Sequence, residues 1–351
     1  VAVVVAETRP EVAVAYPRPF SASVLTDDSF AVCAVQHDVG NIALAVANNG
    51  TFGDYLSRLY PEDTARDCFT GKPIDACQFP KESGIGYLYG GAFWIGAVVN
   101  RDTLVSTGVD GWGRTGYELF PDVSPNGFPI RRSTIDPTKE LFVGAISEQD
   151  YICTYYDTCG DCPWMTRDAM DSRSHRPLFT EVTQRSYAWS YPYASNFILF
   201  DYSIRNIGVY RLRKVYLGIF VDADVFNLSD DICGFRNVLP AWYSRDTNCA
   251  FQDSVNIAWI ADNDVDISFS PNVTGMRIVR APSDDLAMSF NWWVSNGDPK
   301  LDFGPQSYAR HRDLSTNGGQ GTPVGDRNKY WFMSNHEFDY YQVYSAVNRP
   351  E

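Results

Sequence analysis

The chain has 351 residues and a net charge of −14, with 44% hydrophobic and 21% charged residues. That composition can bury a core and excludes disorder in bulk. So acidic a chain, without clustered Lys and Arg, excludes nucleic acid as a partner, and no apolar run of about 18 residues predicts a transmembrane segment.

Phe, Tyr and Trp together reach 15%, and Gly and Pro are frequent. This mixture favours many short strands joined by turns. The chain starts at Val1 rather than Met, which predicts removal of a signal peptide and a secreted product.

Residues 1–19 differ from the rest. Val1, Val3, Val5, Val12, Val14 and Tyr16 punctuate an apolar, β-branched stretch, and Pro17 and Pro19 then bar both helix and regular ladder. The segment reads as an extended arm with a stiff hinge. Three placements compete for it: the tail of a signal peptide, the first strand of its own domain, or a strand donated to a neighbour's sheet. Pairing within one chain is the ordinary outcome.

Residues 20–150 read as the first part of a β-sandwich body. Strands are expected over residues 29–35 and 41–46, followed by a turn at Asn48 to Gly50. A nearly unbroken apolar run, residues 87–99, predicts a buried strand whose return begins at Leu104. Residues 151–176 are polar and Cys-rich, and read as an irregular insertion with a short helix near Thr166 to Asp171. The second part of the body, residues 177–351, opens with strands around Thr183 to Trp189 and Phe197 to Asn206. The latter is expected to form a hairpin with Val215 to Val221 through the turn at Ile207 and Gly208. The predicted class is all-β, an immunoglobulin-like or jelly-roll-type sandwich with an N-terminal extended strand.

Eight cysteines, Cys33, Cys68, Cys77, Cys153, Cys159, Cys162, Cys233 and Cys249, suit an oxidising compartment. Short loops favour Cys68 with Cys77 and Cys233 with Cys249. Cys153, Cys159 and Cys162 compete, leaving one for Cys33. A structural disulfide is preferred to a zinc or redox CxxC at Cys159 and Cys162, because neither further ligands nor a βαβ context is present. Sequons at Asn49, Asn227 and Asn272 are candidate glycosylation sites.

Catalytic constellations are not found. His37, His175, His311 and His336 fit no metal-binding spacing, and no GxSxG elbow, P-loop or dinucleotide fingerprint occurs, so no catalytic residue is assigned. An enzyme would require a cleft joining His311 or His336 to a carboxylate. Asp222, Asp224, Asp230 and Asp231 are candidate calcium ligands, against the plainer reading of a solvated acidic turn. Trp94, Trp189 and Trp259 read as core. Trp292 and Trp293 must point to opposite faces of a strand, so one ring is open to sugar stacking.

Several stretches resemble a recurrent β-sandwich module of large, uncharacterised secreted bacterial proteins: Asn48 to Gly53, Tyr87 to Ala97, Val215 to Asp224, Phe290 to Trp293, Asp302 to Pro305 and Phe332 to Asn335. They occur in the same order, and the resemblance implies a secreted sandwich without assigning an activity. The architecture is also similar to subunits of donor-strand-exchange pili, whose incomplete immunoglobulin-like domains are completed by a neighbour's N-terminal strand. That likeness tips the arm towards donation. It implies a homopolymer of the chain as an extracellular, bacterial cell-surface fibre. The alternative is a monomeric secreted module that binds carbohydrate or a surface.

Overall fold

The computed structural model describes residues 2–8, 32–54, 66–111, 116–122, 126–135, 141–160, 162, 165, 167–168, 171–226, 231–238, 254–262, 272–280, 288–293 and 323–336. From the N-terminus come β1 (Ala2–Thr8), β2 (Ala34–His37), β3 (Ala43–Ala47), β4 (Thr51–Gly53), β5 (Cys77–Gln78), β6 (Gly90–Val99) and β7 (Asp102–Thr107). Next are β8 (Phe120–Pro121), β9 (Ile130–Arg132), β10 (Gln149–Asp157), β11 (Thr180–Ala188) and β12 (Leu199–Asn206). β13 (Arg213–Asp222), β14 (Ile232–Val238), β15 (Ser254–Ala261), β16 (Val273–Arg277), β17 (Met288–Trp292) and helix α1 (Gly325–Ser334) complete the set. The fold is all-β and of sandwich type, as its composition predicts.

Three antiparallel sheets are built from these strands. A nine-stranded sheet runs β17-β1-β13-β6-β4-β3-β2, with β5 beside β3 and β7 beside β6. A five-stranded sheet runs β12-β11-β10-β8, with β9 also on β10, and a three-stranded sheet runs β14-β15-β16.

β6 shows why its sequence is apolar without alternation. Its odd positions, Phe93, Ile95, Ala97 and Val99, pack with Tyr155 of β10, Val182 of β11 and Leu217 of β13 between the two larger sheets. Ala92 and Trp94, on the other parity, pack with Phe220, Trp293, Tyr330, Phe332 and Met333 beneath α1. A strand covered on both faces has no polar side to display. Gly96 lets the helix come this close: a Cβ there would stand 3.2 Å from both Met333 Sδ and Tyr330 Cδ2. The return into β7 turns at Asn100, whose φ of 56° lies in the left-handed region that Asn tolerates.

α1 has no side-chain cap of its own. Asp168, from the Cys-rich segment, supplies the missing acceptor: its Oδ2 takes the Asp326 amide at 2.8 Å. A third core joins Phe235 and Ile260 of the small sheet to Phe290 of β17, Val221 of β13 and Phe52 of β4.

Two expectations need correction. β12 and β13 are not a hairpin: β12 pairs with β11 in the five-stranded sheet, while β13 pairs with β6 and β1 in the nine-stranded one. Both strands carry a half-buried pattern, which reveals burial but not the sheet that provides it. The stretch read as an insertion from residue 151 begins instead with the β10 strand, paired over nine residues with β11. Of the helix expected from Thr166 to Asp171, residues 166, 169 and 170 lie outside the described set. Arg167, Asp168 and Asp171 are not helical.

Candidate functional site

The N-terminal strand occupies a slot inside the nine-stranded sheet. β1 pairs antiparallel with β13 on one side, from Ala2↔Val221 to Thr8↔Val215, and with β17 on the other, from Ala2↔Trp292 to Ala6↔Met288. The register sets Ala2, Val4 and Ala6 between Val221, Ile219 and Leu217 on one wall and Trp292, Phe290 and Met288 on the other. Val3 and Val5 come between Phe220 and Gly218 on one side and Asn291 and Ser289 on the other. Val1, Val12, Val14 and Tyr16 of the arm lie outside the described residues.

Each wall of this slot has anchors apart from β1. β13 is held by its ladder to β6 and by Phe220, which stacks on Trp94 at 5.3 Å. β17 is tied to the helix: Asn291 Nδ2 donates to the Phe332 carbonyl at 2.9 Å, and Asn335 Nδ2 donates to Asn291 Oδ1 at 2.7 Å. Trp293, next after β17, meets Phe220 of β13 at 5.9 Å and Phe332 of α1 at 5.7 Å between ring centroids. Across the slot β13 and β17 stand two strand spacings apart, about 9.5 Å. Sequence alone reads both walls as apolar strands but not their adjacency to the arm, because more than two hundred residues separate Ala2 from Val221.

Among the described residues no group of three or more His, Cys, Asp and Glu side chains is arranged to hold a metal ion. Asp222 ends β13, Asp224 follows it, and Asp230 lies outside the described residues. Asp231 accepts the Val225 amide at 3.0 Å, and burial, with Asp224 and Asp262 adding repulsion, pushes its pKa up to about 8.

A histidine does meet carboxylates, though not one singled out from sequence. His175 lies with Nδ1 3.0 Å from Glu118 Oε1 and Nε2 2.8 Å from Asp157 Oδ1. Burial pushes its pKa down, but the two carboxylates outweigh this and hold the ring charged. Asp157 Oδ2 also accepts from Ser106 Oγ and the Leu178 amide, each at 2.5 Å. Lys329 of α1 reaches Asp110 Oδ2 at 2.6 Å nearby, and Arg173 reaches Asp326 Oδ2 at 2.8 Å. These buried ions pin α1 and residues 171–178 to β7. His37 donates to, or accepts from, Ser186 Oγ at 2.8 Å with both side chains wholly buried, and burial pushes its pKa down to about 3. His336 meets Tyr216 Oη at 3.5 Å, and His311 lies outside the described residues.

One disulfide departs from the short-loop expectation, and the other is the structural one preferred at the CxxC. Cys33 bonds Cys68, and Cys159 bonds Cys162. A parallel bridge, Ala34↔Asp67, carries Cys68 beside Cys33, whereas Cys77 sits on β5 opposite Leu44 and packs on the core. Cys153 is buried within the inter-sheet core rather than joined to Cys33. Cys233 is buried, and Cys249 lies outside the described residues.

Asn49 is wholly buried and accepts from Thr51 Oγ1 at 2.8 Å, so a glycan has no room there. Asn272 is exposed at the start of β16, while Asn227 is outside the described residues. Trp292 and Trp293 are both buried, because their sheet is covered on both faces. A group of exposed rings lies instead in the β11–β12 loop, where Tyr191 and Tyr193 stack at 5.5 Å and Phe197 is also exposed.

Comparison of the chain with protein-family models, with curated proteins and with solved structures gives no match.

Proposed function

We propose that the chain is a structural subunit of an extracellular fibre, assembled when β1 of one copy fills the β13–β17 slot of the next. One observation carries this reading: β1, joined to the body by the long segment 9–31, is set between two walls that are anchored without it. Strand exchange preserves every pairing of the closed form, so its free-energy difference comes from association and linker terms rather than from new contacts. Residues 9–31, which join β1 to the body, could extend about 75 Å, enough to reach a neighbouring copy. Slot and strand are different patches of one surface, so the contact is heterologous and propagates.

The experiment is refolding at high protein concentration, followed by electron microscopy and sedimentation. The full chain is expected to form open polymers, and a chain lacking residues 1–16 to be less stable and to form none. A synthetic peptide spanning residues 1–8 should bind the shortened chain and raise its Tm. Polymers from the shortened chain, or none from the full chain, would rule the reading out.

A second reading, a monomeric surface- or glycan-binding module, draws support from Tyr191, Tyr193 and Phe197. Tyr193 is 82% exposed on a loop that the Asn41–Ser195 and Asn41–Asn196 hydrogen bonds hold in place. Exposed, oriented rings are the surface that sugars stack upon. Loss of binding to a glycan array in Tyr191→Ala with Tyr193→Ala would favour it.

A further inference from the structure

β12 forms one border of the five-stranded sheet, and among the described residues no strand pairs with its outer side. It runs in unbroken register with β11 for eight pairs, from Tyr187↔Leu199 to Thr180↔Asn206. Edge strands in monomers are usually blunted by a bulge, a proline or a lysine. The sequence Leu-Phe-Asp-Tyr-Ser-Ile-Arg-Asn has none of these. The border strand β2, by contrast, is capped by the Ala34↔Asp67 bridge.

The outer face of the sheet here is a charge ladder. Arg205 meets Glu181 of β11 at 2.6 Å, and Arg185 of β11 stands 3.6 Å from Asp201. Ser203, between Asp201 and Arg205, accepts from Arg185 Nη1 at 3.0 Å. Charge along β12 is therefore antisymmetric about Ser203, negative on one side and positive on the other.

We infer that β12 is a homotypic edge, pairing antiparallel with β12 of a second copy about a twofold axis at Ser203. In that register Asp201 lies opposite Arg205 of the second copy, twice over by symmetry. The ladder then alternates across four strands, Glu181, Arg205, Asp201 and Arg185, with every neighbour of opposite sign. Registers centred on Asp201 or on Arg205 place like charges opposite each other and are disfavoured. The same twofold brings the exposed Phe197 and Leu199 at the start of one strand beside the turn after the other, where Val209 is 84% exposed. Two five-stranded sheets would join into one of ten. This contact is isologous and closes a dimer, so it is separate from the open, heterologous exchange of β1.

The test is register-specific. In the full-length chain, Ser203→Cys places two thiols opposite each other, with Cα atoms about 5 Å apart, inside the range for a disulfide. Mild oxidation is expected to yield a covalent dimer on a non-reducing gel. Arg205→Cys lies four residues from its own copy in this register and should not link. The unmodified chain reports any background from its native cysteines. Asp201→Arg is expected to weaken dimerisation at least tenfold by sedimentation, with circular dichroism verifying that the strands remain. Equal cross-linking of Ser203→Cys and Arg205→Cys overturns the inference, as does unchanged association of Asp201→Arg. A wild-type chain that sediments as a monomer at every concentration overturns it too. Open polymers that persist in Asp201→Arg, without a Ser203→Cys link, would support β1 exchange alone.

Discussion

His175 Nε2 lies 2.8 Å from the carboxylate of Asp157, a side chain with no exposed surface. Glu118 faces the opposite ring nitrogen, so one cation is shared by two anions that also bind Ser106 and Thr107 of β7. Removing the ring takes away the cation between the buried Asp157 and the partly buried Glu118.

His175→Gln is therefore expected to cost about 3 kcal/mol in urea unfolding at pH 6. The pH dependence has a definite sign. The folded pKa lies well above 6.5, so the contribution is complete below pH 6.5 and declines as pH rises from there to the folded value. Wild-type stability should thus fall more steeply than that of His175→Gln above pH 6.5.

Asp231 has the converse chemistry, a carboxyl kept protonated. Its pKa rises from 3.8 unfolded to about 8 folded, so it favours folding most at low pH and progressively less between these two values. Asp231→Asn keeps the acceptor for the Val225 amide without the charge. The variant should gain stability over wild type as pH rises from 4 towards 8, read from Tm across that range.

Disulfide loops differ in length, and so should their contributions. The chain-entropy estimate for the 35-residue separation of Cys33 and Cys68 is about 4 kcal/mol. For the three-residue separation of Cys159 and Cys162 it is about 2 kcal/mol. Paired Cys→Ser variants should rank in that order by denaturant midpoint.

A glycine contrast tests the packing of β4 on β6. A Cβ at Gly91 would come within 2.2 Å of the Phe52 ring and 2.7 Å of the Phe220 carbonyl oxygen. Gly91→Ala should cost about 3 kcal/mol through displaced backbone and ring. At Gly71 nothing stands within 4 Å and only the φ of +66° opposes a side chain, so Gly71→Ala should cost about 1 kcal/mol. Equal losses in thermal unfolding would show that the ring moves aside freely.

Strand content was legible in the sequence where burial leaves a local mark. The run of β6 and the alternation of β11 each announce themselves within ten residues. Sheet membership does not, as β12 and β13 show, because two half-buried strands look alike whichever sheet they join. Helix α1 is hidden for another reason: its buried face includes Asp326, Asn328 and Lys329, which meet Arg173, the Val324 carbonyl and Asp110 rather than completing an apolar stripe. The His175 cluster escaped notice because Glu118, Asp157 and His175 come from three separate elements and share no motif spacing. Loop length alone does not point to Cys33–Cys68, because it takes no account of the bridge that aligns the two segments.

The place of β1 in its sheet bears on how the chain matures. Its partners β13 and β17 are synthesised more than two hundred residues after it, an interval on the order of ten to forty seconds at ordinary translation speeds. Throughout that interval an apolar strand has no permanent ladder, and its amides have only water or transient partners. The order of synthesis thus makes this pairing one of the last that the sheet can complete.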